Sequence, residues 1–150
     1  MSNPLPIALA DLSTIADETW STVINLPLEP GSAVPVGNVL ISCVQIIYPT
    51  TTYVVAISAG PELAAKLAAG MLMMSPEEVG EQDRNDAFGE IANILGGGVK
   101  ARLPEVGSMS MPVVISGTDV TVKHPKCVLA LCACHTCAGS PLAISVYHQE

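Results

Sequence analysis

Within the stretch Asp86-Ala-Phe-Gly-Glu90-Ile-Ala-Asn93-Ile-Leu-Gly-Gly-Gly-Val-Lys100, four residues are spaced by four, three and four: Asp86, Glu90, Asn93 and Gly97. At about 3.6 residues per turn, that spacing lines them along one stripe of a helix. Glu90 and Asn93 stand one turn apart on it. A carboxylate accepts hydrogen bonds and carries charge, whereas an amide both accepts and donates. Any amphipathic helix has a polar face, and Glu90 as a solvated helix former needs no further reason. Asn93 and the glycines do. Asn competes for backbone hydrogen bonds inside a helix, and each of Gly89, Gly96, Gly97 and Gly98 lowers helix stability by about 1 kcal/mol relative to alanine. Small residues beside an exposed acid and amide let another macromolecule's backbone approach closely. Asp86, Gly89, Gly96 and Gly97 are therefore the expected partner-binding surround of the pair.

A second cluster could bind metal. Cys127, Cys132, Cys134, His135 and Cys137 lie close together, with Cys43 apart from them. Thiolates and imidazole are zinc ligands, but only Cys134 and Cys137 have the C-x-x-C separation of a structural site. Cys132 and Cys134, two apart on a strand, point to the same face. The plainer reading is a set of reduced thiols packed as small apolar residues. No metal of the chain's own is expected. His124 precedes Pro125 in a turn and is expected at the surface, and His148 is expected to fray near the C-terminus.

Other chemistries lack their signatures. No serine sits in a G-x-S-x-G context. Gly96 to Gly98 neither follows a strand nor opens a helix, so it is no phosphate-cradling loop. With six basic against fourteen acidic residues, a net charge of −8 and few aromatics, the chain lacks both the basic footprint and the stacking platform of a nucleic-acid binder. The same charge disfavours an anionic membrane surface. The N-terminal stretch has no basic n-region and carries Asp11, Asp17 and Glu18, and no apolar run is long enough to span a bilayer. A cytoplasmic location is the expectation.

The elements that must position the acid and amide follow from periodicity. Pro6 to Trp20 reads as a helix and Ser21 to Leu28 as a strand. Val39 to Ile47 and Thr51 to Ser58 read as an antiparallel hairpin around Tyr48-Pro49-Thr50. Pro61 opens a helix with the apolar stripe Leu63, Leu67 and Met71. Ser75-Pro76-Glu77-Glu78 has the pattern of a capping box, with helix running on to Leu103 after a break near Gly80. Phe88, Ile91, Leu95 and Val99 form the core-facing stripe of that long helix, with Ala87 and Ile94 flanking. Ser108 to Ser116, Thr118 to Lys123, Lys126 to Cys134 and Leu142 to His148 each read as a strand. The methionines at 71, 73, 74, 109 and 111 read as core filler. Strands joined by short turns within each group argue for an α+β layout with a largely antiparallel sheet. Residues 1–150 form a single domain on this reading.

The stretch D-A-F-G-E-I-A-N-I-L-G-G resembles the signature of the CheX-like chemotaxis phosphatases, relatives of CheC, whose core is Glu-x-x-Asn on a long helix. The hairpin, the P-E-L-A-A-K-L-A helix and the S-M-S-M-P-V-V-I-S-G strand sit where that family has equivalents, from roughly Val39 to Gly117. The resemblance implies a CheC-like fold: a largely antiparallel mixed sheet packed with one long and several shorter helices. It also implies a phosphatase acting on the phosphoaspartate of a CheY-like response regulator. Glu90 would contact the receiver domain's active-site lysine, and Asn93 would orient the attacking water. An amide suits that task because it can accept from a water proton while presenting its own donors. Phosphoryl transfer needs mainly positioning and charge stabilisation, and Mg²⁺ would be supplied by the partner receiver domain. Double-motif relatives carry a second Glu-x-x-Asn on the earlier helix. Here Glu62 is followed by Leu63, Ala64 and Ala65, which implies one site per chain. A homodimer joined through sheet edges is a further implication. The chain departs from the family pattern at Gly97-Gly98, where Gly-Asn is expected, and this bears on where the helix ends.

Two other functions stay open at this point. The same helix face could serve a non-catalytic module that binds and regulates a signalling protein. The cysteine cluster could form a metal or redox sensor.

Overall fold

The structure is a computed structural model and describes residues 6–104, 107–118 and 126–149. Its frame is one sheet. β1 (Glu29–Pro30), β2 (Asn38–Ile47), β3 (Thr52–Ala59), β4 (Ser108–Met109), β5 (Val113–Thr118), β6 (Cys127–Cys137) and β7 (Ser140–Gln149) lie in the order β1-β6-β7-β3-β2, with β4 and β5 both on the far side of β2. Every pairing among the described residues is antiparallel. The β2–β3 hairpin runs from Leu40↔Ala59 to Ile47↔Thr52, and its turn is closed by the Tyr48 N–H donating to the Thr51 carbonyl at 2.9 Å. The antiparallel α+β architecture agrees with the alternation and turn spacing of the sequence.

Strand alternation gives the sheet two unlike faces. Leu40, Val44 and Ile46 of β2, Val55 and Ile57 of β3, and Leu142, Ile144 and Val146 of β7 belong to the main core. Three helices supply its other half: α1 (Leu9–Thr19), α2 (Pro61–Leu72) and α3 (Glu81–Arg102). From them Leu12, Ile15, Leu63, Leu67, Phe88, Ile91, Leu95 and Val99 enter the same core. On the opposite face a small cluster of Cys43, Val54 and Ala56 is joined by Ile41, Cys127 and Tyr147.

Several expectations are corrected. Ser21 to Leu28 is not a strand: the helix continues from α1 through a π turn over Trp20–Ile24. The β-branched run Thr22-Val23-Ile24 suggests extended chain, but Trp20 and Ile24 are fully buried in the core, and that packing overrides the local preference. The turn stops at Asn25, which is left-handed at φ 61° and donates its N–H to the Trp20 carbonyl at 2.8 Å. The predicted strand 108–116 is two strands. Pro112 has no N–H for a ladder, and the break at Ser110–Pro112 separates β4 from β5. At the break, the Gln45 N–H donates to Ser110 Oγ at 2.8 Å. His148 does not fray; it lies in β7 and stacks on Tyr53 with ring centroids 4.8 Å apart. Met73 and Met111 are not core filler, at 91% and 84% exposed, although Met71 and Met109 do pack against the core. Ser75 uses its hydroxyl as expected, donating to Glu78 Oε1 at 2.7 Å, but what it opens is a single 3₁₀ turn, Pro76–Glu78. His124 and the strand expected at Thr118–Lys123 fall outside the described residues beyond Thr118.

Ser42 is the polar exception on the helix-facing side of β2. It is completely buried, and its hydroxyl has no partner among the described residues. An unsatisfied buried hydroxyl costs about 1–3 kcal/mol. Ser42→Ala is therefore expected to leave stability unchanged or raise it by about 1 kcal/mol. A shift of the denaturation midpoint to lower urea would contradict this account.

Candidate functional site on the long helix

α3 is long, polar at its start and held from beneath. Gly80 precedes it in extended conformation, Glu81 and Asp83 occupy the first turn, and Lys100 and Arg102 occupy the last. Those charges oppose the helix dipole at each end. Along its underside Ala87, Phe88, Ile91, Ala92, Leu95 and Val99 are buried. Burial of this stripe fixes the rotation of the helix, and with it the direction of every other side chain. The helix runs on through Gly97 and Gly98 to Arg102, so the departure from the expected Gly-Asn does not end it.

The outward stripe is Asp86, Glu90, Asn93 and Gly97. Asp86 and Glu90 are exposed, and Asn93 and Gly97 are half-buried. Asp86 accepts a hydrogen bond from Gln82 Nε2 at 2.8 Å, one turn earlier. Glu90 and Asn93 have no side-chain hydrogen bond or ion pair among the described residues. A carboxylate and an amide one turn apart are thus presented with their hydrogen-bonding capacity unspent. A Cβ on Gly97 would meet nothing within 4 Å, so the surface beside Asn93 is flat and open.

The other two glycines of the expected surround behave differently. Gly89 and Gly96 are buried. A Cβ on Gly89 would lie against Pro112 and Val114, and one on Gly96 would come within 2.5 Å of Val44 Cγ2. Their small size serves the approach of α3 to the sheet, a correction to the expectation that they face a partner. Gly98 plays the same part toward α1, where a Cβ would press on Ile15 at 2.7 Å.

The sequence reading misses Met111. Pro112 is the residue that packs against Gly89, which brings the exposed Met111 beside the first half of α3. An unburied methionine supplies an adaptable apolar contact at a surface. The signal available was its place before Pro112, where the ladder had to break.

The cysteine cluster is divided by the alternation of β6. His135 and Cys137 face the helices and are buried, whereas Cys132 and Cys134 are half-buried on the opposite face. All five cysteines are free. Among the described residues no group of three or more His, Cys, Asp or Glu side chains could hold a metal ion. Burial pushes the Cys137 thiol up, with the Trp20 side chain and the Lys66 charge pulling the other way.

Comparison with known proteins adds the family. The profile of the family described as chemotaxis phosphatase CheX matches residues 41–134, most of the chain. The chain belongs to this family. Its fold is similar to the chemotaxis protein CheX from Vibrio vulnificus, with a TM-score of 0.79 at 22% identity, covering 99% of this chain and 100% of that one. A CheC-like superfamily protein from Shewanella sp. PV-4 aligns with a TM-score of 0.73 at 20% identity, covering 96% and 100%. The CheX of a CheX–CheY–BeF3–Mg+2 complex from Borrelia burgdorferi aligns with a TM-score of 0.61 at 15% identity, covering 95% of each chain. No curated protein sequence matches. The CheX match spans β3, α2 and α3 whole, and therefore includes Glu90 and Asn93. No helix among the described residues is long and apolar enough to cross a membrane.

The glycines provide a paired test of this geometry. Gly97→Ala is expected to stabilise the fold by up to about 1 kcal/mol, since it adds helix propensity in open space. Gly96→Ala is expected to destabilise it by about 1–3 kcal/mol through overpacking against Val44. Equal effects in chemical denaturation would show that α3 is rotated differently.

Proposed function

We propose that this CheX-family chain hydrolyses the aspartyl phosphate of a CheY-like response regulator, with Glu90 and Asn93 as its working residues. The observation that carries the reading is the outward presentation of an acid and an amide one turn apart on a helix whose underside is locked in the core. It is supported by the family match and by the likeness to a CheX found in complex with CheY, BeF3 and Mg²⁺.

In this reading α3 lies across the receiver's active site. Glu90 pairs with the receiver's lysine and sets the register of the helix. Asn93 enters the site, accepts a hydrogen bond from a water and holds it in line with the phosphorus. Attack of that water breaks the bond between phosphorus and the aspartyl oxygen, yielding aspartate and inorganic phosphate. The chain contributes positioning; Mg²⁺ held by the partner would supply charge neutralisation at the phosphoryl group. Pre-ordering a water in this way removes the entropy of capturing it from solution. Gly97 leaves room beside Asn93, and Met111 offers an apolar contact at the rim.

We also infer a homodimer joined through a sheet edge. Among the described residues, the outer edge of β6 is covered by β1 at Thr136 and His135 and by the Gly31 N–H, which donates to the Cys134 carbonyl at 3.2 Å. Val128 and Leu129 further along it are exposed. An unpaired apolar edge strand is a template for pairing with another chain. Light scattering on the purified chain is expected to give twice the monomer mass, and a monomer mass at micromolar concentration would reject this part.

The enzymatic reading is tested with phosphorylated receiver domains and a phosphate-release assay. Asn93→Ala is expected to lower the acceleration by on the order of 100-fold or more with the fold intact. Glu90→Ala is expected to weaken productive docking by roughly 10- to 100-fold, the loss of a charge-assisted hydrogen bond. Undiminished release by Asn93→Ala would sink the mechanism. Binding of the receiver with no change in phosphate lifetime would favour a regulatory module.

A further inference from the structure

The open face of the sheet carries a pair of thiols that the phosphatase chemistry does not use. Cys132 and Cys134 are alternate residues of β6, paired across to Ser145 and Ala143 of β7. Both are half-buried. Ser145 Oγ donates to Cys132 Sγ at 3.7 Å.

Geometry decides what such a pair can hold. Same-face neighbours on a strand stand about 6.7 Å apart at Cα. A disulfide accepts that separation only at the limit of its range, with its usual value nearer about 5.5–6 Å. A metal bridge is longer: two metal–sulfur bonds of about 2.3 Å each hold the sulfurs about 4.6 Å apart. The pair suits a bridging cation better than a sulfur–sulfur bond.

A tetrahedral ion is not provided for. His135 and Cys137 point to the other face. Cys127 lies beyond the irregularity between Leu129 and Leu131. Cys43 shares the row Cys43–Ala56–Ser145–Cys132 but is three strand spacings away, about 14 Å. That row and the next, through Ile41, Ser58 and Ala143, carry no carboxylate for a hard cation. We propose that Cys132 and Cys134 form a two-sulfur site for one soft thiophilic cation, Cu(I), held in near-linear coordination. Thiolates select Cu(I) by softness, and the small apolar surface of Ala56 and Ala143 limits competition from water.

Binding forms two Cu–S bonds and releases the two thiol protons to solvent. Copper stays in the +1 state, so no oxidant or reductant enters. Proton release therefore makes affinity rise with pH and fall as the solution is acidified.

The test is an anaerobic Cu(I) titration of the full reduced chain against a competing chromogenic chelator. One equivalent per chain is expected, with ultraviolet thiolate-to-copper absorption and weaker binding at lower pH. Cys132→Ser and Cys134→Ser should each reduce affinity by at least about 100-fold, whereas Cys43→Ser and Cys127→Ser leave it unchanged. Unimpaired binding by either of the first two variants overturns the proposal, as does equal loss in either of the last two. The stoichiometry and pH dependence of the unaltered chain decide the matter should a variant fail to fold, and absence of the absorption at one equivalent overturns it as well.

Discussion

The contact between the underside of α3 and the β2–β3 hairpin is the constraint on which the rest depends. Phe88, Ile91, Leu95 and Val99 lie in the core with Leu40, Val44 and Ile57. Gly96 lets the helix sit directly on Val44. A fully buried aliphatic side chain contributes about 1.5–3 kcal/mol, so this stripe outweighs the cost of four glycines in one helix. Once it is seated, Glu90 and Asn93 have no freedom to turn inward. The outward face is thus set by residues buried in the core.

Neighbouring elements brace the same helix. Gly98 brings α1 close through Ile15, and Arg102 reaches Glu18 at 4.0 Å while donating to the Gly98 carbonyl at 3.2 Å. The exposed ion pair contributes little by itself. The apolar contact of Ile15 is the stronger restraint. Rigidity of this kind fixes the direction in which Glu90 and Asn93 project, and a displacement of about 1 Å is enough to spoil a positioned contact.

Much of this was legible in the residues. The β2–β3 hairpin shows itself through β-branched runs on either side of Tyr48-Pro49-Thr50, and α3 through the 3.6-residue recurrence of its apolar stripe. The outward stripe follows from the same period. The π turn was not legible, since Thr22-Val23-Ile24 carries a strand's local preference and only burial of Trp20 and Ile24 reverses it. The glycines divide for a similar reason. Sequence marks Gly89, Gly96, Gly97 and Gly98 alike as helix-weakening, and only the placement of Val44, Pro112 and Ile15 shows which three are packing against neighbours. The split of Cys132 and Cys134 from His135 and Cys137 was implicit in strand alternation, but what each face meets needed the whole sheet.

The sheet order also bears on how the chain reaches its native state. β3 lies between β2, its hairpin partner, and β7, the last strand among the described residues. As the polypeptide leaves the ribosome, β2, β3, α2 and α3 can assemble from nearby contacts. One whole edge of β3 then waits unpaired until β7 has been made. Such non-local pairing is slow and leaves sticky backbone uncovered in the interim. α3 is therefore supported early, and the strand beneath it is sealed late, when the β6–β7 hairpin docks.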